Sequence, residues 1–230
     1  MIRLERVSKR YPNGREALTN VSFFVDRGEL LFITGRSGAG KSTLLKVIAL
    51  LERPTRGTVS INGRNTGALS ARHVPAFRRQ LGMVFQDHKL LADRPVFDNV
   101  ALPLVVAGTP FKDIDKRVRA ALDQVGLLGK ERMLPMELSV GEQQRVGIAR
   151  AVVGKPPLIV ADEPTGNLDP DLALEVMRLV RRFSEVGVTV LVATHDVHIV
   201  REFGSREIIL TSGEVTGGSA DPLPSLVASR

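Results

Sequence analysis

The first 85 residues alternate short apolar runs with turn-forming residues. The runs are brief, rich in β-branched or aromatic side chains and bounded by Gly, Pro or Asn, a pattern typical of β-strands. They lie at Arg3 to Val7, Val21 to Val25, Leu30 to Thr34, Thr58 to Ile61 and Gly82 to Phe85. The pattern predicts an N-terminal region built mainly from strands.

From about Val96 to Lys155 the apolar residues follow the spacing of helices. The clearest stretch places them at Ile114, Val118, Ala121, Leu122 and Val125. Gly126 follows as a stop signal. We therefore expect a helical subdomain at about residues 87–155.

The last third of the chain returns to a strand pattern. Two fully apolar runs, Leu158 to Ala161 and Val188 to Ala193, are separated by a helical stretch from Leu172 to Glu185. A strand, helix, strand order of this kind predicts a buried parallel sheet. Residues 217–230 mix Gly, Ser, Pro and Ala, and we interpret them as a flexible C-terminal tail.

Composition limits the class of protein. The chain has 230 residues, 43% hydrophobic and 25% charged, which suits one globular domain with a core. It contains no cysteine, which excludes disulfides and thiolate metal sites and favours a reducing compartment. No apolar run approaches the roughly 20 residues of a membrane span. The net charge of +7 could favour nucleic acid or an anionic membrane surface, and charge alone does not distinguish them. A solvated basic surface with no specific partner is the plain alternative and has about half the weight.

A glycine-rich loop follows the strand Leu30 to Thr34 and precedes a helical run, which is the context a P-loop requires. The predicted nucleotide-binding set is Gly35, Arg36, Ser37, Gly38, Ala39, Gly40, Lys41, Ser42 and Thr43. Backbone amides and the helix N-terminus suit a phosphate, and Lys41 reaches the β- and γ-phosphates. Ser42 supplies a hydroxyl to Mg²⁺. Kinases, GTPases and transport motors share this loop, so it predicts nucleotide binding alone.

Acidic and imidazole side chains follow the two later strands. We predict that Asp162 holds Mg²⁺ through water and that Glu163 polarises the attacking water. His195, at the end of the strand Val188 to Ala193, is positioned to hydrogen-bond the γ-phosphate. A loop histidine without a catalytic role is the alternative for His195, and a metal site with His198 lacks a third ligand.

A third segment precedes the helical run Val146 to Val153 and reads Leu138-Ser139-Val140-Gly141-Glu142. Ser139 and the backbone at Gly141 could form another anion-binding helix start. Two such sites in one chain suggest that one nucleotide contacts both when two chains face each other head to tail.

These motifs together resemble the ABC ATPase family, and the resemblance covers residues 1–216 as a single domain. The matching segments are Gly35 to Ser42, Gln86, Leu138 to Glu142, Asp162-Glu163, Asn167-Leu168-Asp169 and His195. The resemblance implies an α/β P-loop NTPase with a parallel core sheet, an N-terminal antiparallel β subdomain and a helical signature subdomain. It also implies Mg²⁺-dependent ATP hydrolysis and a homodimer that forms on ATP binding.

Several residue roles follow from the resemblance alone. Tyr11, the only tyrosine, would stack on adenine, although an aromatic residue at a strand end is the plain alternative. Gln86 would link Mg²⁺ to a membrane partner, and Asp169 would communicate across the dimer. Ser139, Val140, Gly141 and Glu142 would form the signature that contacts the opposite nucleotide.

Val140 departs from the family pattern, which has Gly at this position. A β-branched side chain there is expected to crowd the opposing γ-phosphate or to restrict the backbone. The departure predicts slow hydrolysis, or a non-catalytic ATP-binding scaffold as an alternative.

Residues 78–100 look like the cell-division branch of the family, with lipoprotein-release and macrolide-export ATPases as near relatives. This likeness implies a peripheral protein on the cytoplasmic side of the bacterial inner membrane. An integral membrane partner resembling FtsX would dock near Gln86 to Val100, and no nucleic acid is expected. A cassette protein of ribosomes or DNA usually carries two cassettes or long coiled coils. A GTPase would need an Asn-Lys-x-Asp motif, which does not occur here.

Overall fold

A computed structural model describes residues 1–218 of the chain. Its strands are β1 (Ile2–Arg10), β2 (Glu16–Val25), β3 (Leu30–Thr34), β4 (Arg56–Ile61), β5 (Arg64–Asn65), β6 (Leu81–Val84), β7 (Leu158–Asp162), β8 (Thr189–Ala193), β9 (Arg206–Thr211) and β10 (Glu214–Gly218). Its helices are α1 (Lys41–Ile48), α2 (Val74–Arg78), α3 (Val96–Val106), α4 (Phe111–Gln124), α5 (Val140–Val152), α6 (Pro170–Glu185) and α7 (Val197–Phe203). Short 3-10 turns lie at Ala71–His73 and Pro135–Glu137.

The N-terminal sheet is antiparallel, with strand order β2-β1-β4-β5. In β1 the buried residues Ile2, Leu4 and Val7 share one face, as expected for a sheet with one face in the core. Ile2 pairs with Val25 on one side and with Ile61 on the other. The predicted antiparallel β subdomain is therefore present.

The larger sheet has the order β10-β9-β3-β8-β7-β6. Strands β9, β3, β8, β7 and β6 run parallel, and β10 is antiparallel to β9. Every residue of β3 and of β8 is buried, as expected for a parallel sheet covered on both faces. The carboxyl ends of parallel strands meet at one edge, so the loops that follow β3, β6, β7 and β8 converge there.

Helix α1 lies between the two sheets. Its buried residues Leu44 and Leu45 share a core with Leu4 of β1 and with Leu31 and Ile33 of β3. The opposite face of the large sheet packs against α3 to α7 in a second core. Phe32 of β3 is part of that core, where its ring lies 6.5 Å from the ring of Phe203.

Helices α3, α4 and α5 form the insertion between β6 and β7. The predicted apolar face of α4 is buried at Ile114, Val118, Ala121 and Leu122. The α/β fold class predicted from the motifs is confirmed.

The C-terminal hairpin of β9 and β10 was not predicted from the sequence. Strand β10 continues to Gly218, so Gly217 and Gly218 pair with β9 although they were assigned to the tail. The rest of that predicted tail, residues 219–230, lies outside the described residues. Between residues 1 and 218 there is no helix of the length and apolar character needed to cross a membrane.

Candidate functional site

The loop between β3 and α1 forms the first wall of the site. Gly40 has a φ of 108°, and a Cβ built there would lie 2.5 Å from the carbonyl oxygen of Ala17. Only glycine fits this position without a backbone shift. Helix α1 begins at the next residue, Lys41, so its N-terminal amides open onto the loop. The loop adopts the form that the glycine pattern predicts.

Lys41 is buried, and its ammonium is fully engaged within the chain. The Nζ atom donates to the carbonyl oxygens of Gly35, at 2.8 Å, and Arg36, at 3.4 Å. It also lies 3.3 Å from Oε1 of Glu163. The loop lysine therefore already holds a carboxylate as counter-ion.

Glu163 follows β7 and bridges two of the predicted catalytic residues. Its backbone has a φ of 48°, which is uncommon for a residue with a side chain. The backbone N–H donates to the carbonyl oxygen of Ala193 at 2.9 Å, which ties it to the end of β8. Its Oε2 atom lies 2.9 Å from Nδ1 of His195, whose side chain is 65% exposed. The three side chains Lys41, Glu163 and His195 thus form one continuous network.

Asp162 and Ser42 meet beside this network. The Ser42 hydroxyl donates to Oδ1 of Asp162 at 3.0 Å, so α1 and β7 are joined at the loop. Burial raises the pKa of the Asp162 carboxyl, although the hydrogen bond from Ser42 acts in the opposite direction. A cation near Oδ1 would favour the charged form.

The loop and the strand ends enclose a cavity of about 410 Å³. It is lined by Arg15, Ser37, Gly38, Gly40, Lys41, Ser42, Thr43, Gln86, Glu163 and His195. Most of these residues were predicted from sequence, but Arg15 was not. It belongs to no motif and reaches the cavity only because the β1–β2 hairpin folds over the loop. Cations, amides and hydroxyls in one cavity suit a phosphorylated ligand.

Tyr11 lies beside the cavity next to Thr43, and Gln86 lines the cavity from the loop after β6. The Tyr11 hydroxyl is 3.4 Å from Oγ1 of Thr43, and Lys9 Nζ lies 5.1 Å from the centroid of the Tyr11 ring. The backbone oxygen of Gln86 accepts from the side-chain amide of Asn167 at 3.3 Å. The loop after β6 and the loop after β7 are therefore in contact.

The signature segment begins α5, six residues earlier than the predicted helical run. Ser139 caps the helix, because its Oγ accepts from the N–H of Glu142 at 3.3 Å and Glu142 Oε2 accepts from the N–H of Ser139 at 3.1 Å. Lys130 hydrogen-bonds Glu142 at 2.5 Å and lowers the pKa of that carboxyl. None of residues 139–142 lines the cavity of its own chain.

Val140 and Gly141 have opposite environments. Val140 is 47% exposed and starts an ordinary helical turn, so the expected restriction of the backbone is not seen. A Cβ at Gly141 would overlap the Cδ2 atom of Leu172 at the start of α6. A side chain at Gly141 would therefore displace the side chain of Leu172. The expected crowding of an opposing phosphate by Val140 concerns a second chain and stays a prediction.

Asp169 caps α6, where its Oδ1 accepts from the N–H of Leu172 at 3.0 Å. Leu172 is also the residue that packs against Gly141. The predicted dimer-communication residue and the signature are thus joined through one leucine. None of the described residues, 1–218, forms a group of three or more His, Asp or Glu side chains that could hold a metal ion on its own.

Comparison with known proteins identifies the class. The family model described as ABC transporter matches residues 18–166, and the chain belongs to that family. The predicted membership is confirmed. Within the family, the chain is 55% identical to the cell division ATP-binding protein FtsE of Escherichia coli K12, over 95% of this chain and 98% of the relative. It is 46% identical to FtsE of Bacillus subtilis, over 93% of each chain.

Solved structures agree with the family. The dimeric ATP-binding cassette MJ0796, described in a post-hydrolysis state bound to ADP and Pi, matches with a TM-score of 0.88 at 38% identity. The match covers 96% of this chain and 98% of that one. The cassette cbiO1 of Clostridium perfringens matches with a TM-score of 0.87 at 30% identity, over 95% and 88% of the two chains.

Proposed function

We propose that this chain is the ATP-binding and ATP-hydrolysing subunit of a membrane ABC complex that acts in bacterial cell division. One observation carries the proposal: the contacts that join Lys41, Glu163 and His195 within a single cavity at the glycine loop. The cell-division role is supported by the similarity to FtsE of several bacteria.

ATP binding is assigned to the loop from Gly35 to Thr43. The backbone amides at the start of α1 bind the phosphates, and Lys41 exchanges its contact with Glu163 for the β- and γ-phosphates. Tyr11, at the edge of the cavity beside Thr43, stacks on the adenine ring.

The residues present fit Mg²⁺ as a cofactor. Ser42 and Asp162 meet at 3.0 Å, and Gln86 lines the same cavity. Mg²⁺ typically keeps water and substrate phosphate oxygens and needs only one or two protein ligands, so a cluster of acids is not required. When bound, the ion would neutralise the charge of the β- and γ-phosphates. In this proposal Ser42 gives a hydroxyl, Asp162 acts through water, and Gln86 completes the set.

Hydrolysis is assigned to Glu163 and His195. Glu163 orients a water and accepts its proton as the water oxygen attacks the γ-phosphorus, and the bond from that phosphorus to the ADP oxygen breaks. His195 hydrogen-bonds the transferred phosphoryl group from the end of β8. Each group acts by position and charge, as is general for phosphoryl transfer.

One chain lacks a complete site, because residues 139–142 lie outside its own cavity. We propose that ATP binds between two copies, with the Ser139 to Glu142 signature of each copy facing the nucleotide of the other. Asp169 carries the state of one site to the other through Leu172. ATP then favours the closed pair because it contacts both copies only when they are closed. The dimeric form of the similar cassette MJ0796 supports this arrangement.

The membrane partner is proposed to dock beside the segment Gln86 to Val100. A second cavity of about 410 Å³ lies next to the two ends of this segment, between α2, β6, α3 and α5. It is lined by apolar groups such as Met83, Phe85 and Val106 and by arginines, although no residue of the segment itself lines it. Arg150 holds the loop after Gln86 through the carbonyl oxygens of His88 and Lys89. An intracellular segment of an integral membrane protein resembling FtsX fits this apolar cavity. The subunit would then sit peripherally on the cytoplasmic side of the inner membrane.

Co-purification of the tagged chain from its native membranes tests the assignment. We expect one integral membrane protein of the cell-division machinery to accompany it. Recovery of a multi-span solute permease, or of a lipoprotein-release or macrolide-export permease, would overturn the cell-division role and leave ATP hydrolysis standing.

A further inference from the structure

Arg15 lines the nucleotide cavity, although it belongs to none of the sequence motifs described above. It belongs to the β1–β2 hairpin, whose tip is closed by a hydrogen bond from the Tyr11 N–H to the Arg15 carbonyl oxygen at 2.9 Å. The Arg15 N–H donates to the side chain of Asn13 at 3.2 Å. These two hydrogen bonds fix the backbone of Arg15. The conformation of the hairpin therefore determines where the Arg15 side chain begins.

The guanidinium lies over the glycine loop. Its Nη2 atom is 3.9 Å from the position that a Cβ would occupy at Gly38, near the centre of the loop. Gly38 and Lys41 line the same cavity, so the hairpin places a second cation beside the one from α1. The two cations approach the cavity from different elements.

The charge of Arg15 is not compensated. Within residues 1–218 its guanidinium has no hydrogen bond and no ion pair, and the side chain is exposed. Among the described residues that line the cavity, Glu163 alone carries a carboxylate, and both of its oxygens are engaged, by Lys41 and by His195. Within residues 1–218, the cavity therefore carries a guanidinium that is paired with none of the carboxylates.

We propose that Arg15 of the β1–β2 hairpin binds the terminal phosphates of the nucleotide, beyond the α-phosphate, alongside Lys41 of α1. A guanidinium donates two parallel hydrogen bonds to phosphate oxygens, and its planar fork suits this class of ligand better than an ammonium does. The inference rests on the proposed ATP binding and extends it to a residue of the N-terminal sheet.

The contact has a structural consequence for the adenine side. The Arg15 carbonyl accepts the N–H of Tyr11, so holding Arg15 on the phosphates also holds the hairpin that carries the Tyr11 ring. The phosphate end and the base end of the nucleotide are then recognised by one short hairpin of the chain.

Calorimetric titration of the full chain tests the proposal with two probes, ADP and inorganic pyrophosphate. The variants are Arg15→Gln, Arg15→Lys and the matched control Arg10→Gln, which removes the same charge from the same hairpin outside the cavity. We expect Arg15→Gln to weaken the binding of ADP and the binding of pyrophosphate by the same factor, about tenfold at low salt. Arg15→Lys should recover part of the loss, and Arg10→Gln should leave both ligands within about twofold of wild type. Higher salt should narrow the difference in affinity between wild type and Arg15→Gln, because salt screens an exposed charge.

Other outcomes would overturn the proposal. Unchanged binding of both probes would show that Arg15 makes no phosphate contact. If Arg15→Gln weakened the binding of ADP and left the binding of pyrophosphate unchanged, Arg15 would act on the ribose, the base or the hairpin and not on the phosphates. Equal losses in Arg10→Gln would assign the effect to net charge or to the hairpin, since Arg10 Nε donates to the Gly14 carbonyl oxygen at 3.3 Å, and not to a phosphate contact of Arg15. Failure of the wild-type chain to bind ADP or ATP would instead overturn the proposed function, so the two failures are distinguishable.

Discussion

Glu163 occupies the most constrained position of the site at the residue scale. Its backbone has a φ of 48°, and its two carboxylate oxygens are engaged by side chains from α1 and from the loop after β8. A residue held in a sparsely populated conformation persists only when its surroundings determine it. Here the bond from its N–H to the Ala193 carbonyl oxygen fixes the backbone.

Glu163→Gln is expected to lower phosphate release by about a hundredfold or more, because the amide cannot accept the proton from water. ATP binding should persist, since the substitution removes only the competitor for Lys41. Phosphate release and calorimetric ATP binding measure the two effects. Glu185→Gln, which changes an acid at the end of α6, serves as the control and should retain the wild-type rate. Equal, near-background rates in wild type and Glu163→Gln would mean that the chain is a non-catalytic scaffold.

Asp162 links stability to pH. Its pKa is raised by burial in the fold, so the folded state binds more protons than the unfolded state as pH rises above the ordinary value. Stability from this group is present at low pH and is lost as pH rises through the raised pKa. Asp162→Asn should therefore increase the melting temperature of the nucleotide-free chain at pH 7.

The difference in melting temperature between Asp162→Asn and wild type should shrink as the pH is lowered toward the ordinary pKa of an aspartate. With Mg²⁺ and ATP present, wild type should have the higher melting temperature, because asparagine is a poorer partner for the ion than aspartate. Thermal melts across pH, with the exposed Asp26→Asn as control, measure both effects. An Asp162→Asn protein that is less stable than wild type at pH 7 without nucleotide contradicts the argument.

At the scale of secondary structure, the sequence predicted elements that carry strong local signals. The apolar runs of β3, β7 and β8 lie within one residue of their predicted bounds, since buried parallel strands are continuously apolar. The start of α5 was placed too late, because apolar spacing begins at Val146 whereas the capping box of Ser139 and Glu142 starts the helix. The run Arg206–Thr211 followed by Ser212-Gly213 carries a strand and turn signal that could have predicted β9 and β10.

The residues of the candidate site also fall into those that the sequence predicts and those that it does not. Lys41, Asp162 and Glu163 belong to motifs with fixed spacing beside strands, so their convergence could be predicted from the parallel sheet. Arg15 could not be predicted, because its place over the loop depends on how the β1–β2 hairpin packs. The contact of Lys41 with Glu163 likewise joins residues 122 positions apart and has no local signal.

Helix α3 offers a matched pair of residues for testing the docking cavity. Val106 is 60% exposed and lines that cavity, whereas its neighbour Val105 is 58% exposed and does not. Val106→Glu should reduce recovery of the membrane partner severalfold, because it places a charge where an apolar segment would be buried. Val105→Glu should reduce it much less. Pull-down of the partner from detergent extracts measures this, and equal recovery with both variants would argue against docking there.

At the scale of the whole molecule, the chain consists of two sheets with α1 packed between them. The core on one side of the large sheet includes residues of β1, β3 and α1, and the other side holds the helices of the signature insertion. The nucleotide loop and the signature therefore belong to different parts of the fold. A site made from both requires a second copy of the chain.

Ser139→Arg should prevent ATP-dependent dimerisation of the Glu163→Gln protein, because a long cation would replace the cap of the signature helix at the shared site. Sedimentation with and without ATP measures the monomer and dimer populations. Ser70→Arg, which changes another exposed serine outside the signature, should leave the ATP-dependent dimer intact. Composite sites would be contradicted by a folded Ser139→Arg protein that still dimerises with ATP in the Glu163→Gln background, or by Ser139→Arg alone hydrolysing ATP at the wild-type rate.

The contact between Lys41 and Glu163 discriminates among ligands of the cavity by their charge. An incoming anion must draw the ammonium away from a carboxylate and from two carbonyl oxygens before it gains a charge-assisted bond of its own. A ligand with a single phosphate offers little in exchange, whereas a chain of phosphates that also contacts the loop amides compensates for the separation. This internal competition would disfavour orthophosphate and nucleoside monophosphates, and the same event that admits a triphosphate would free the carboxylate to accept a proton from the attacking water.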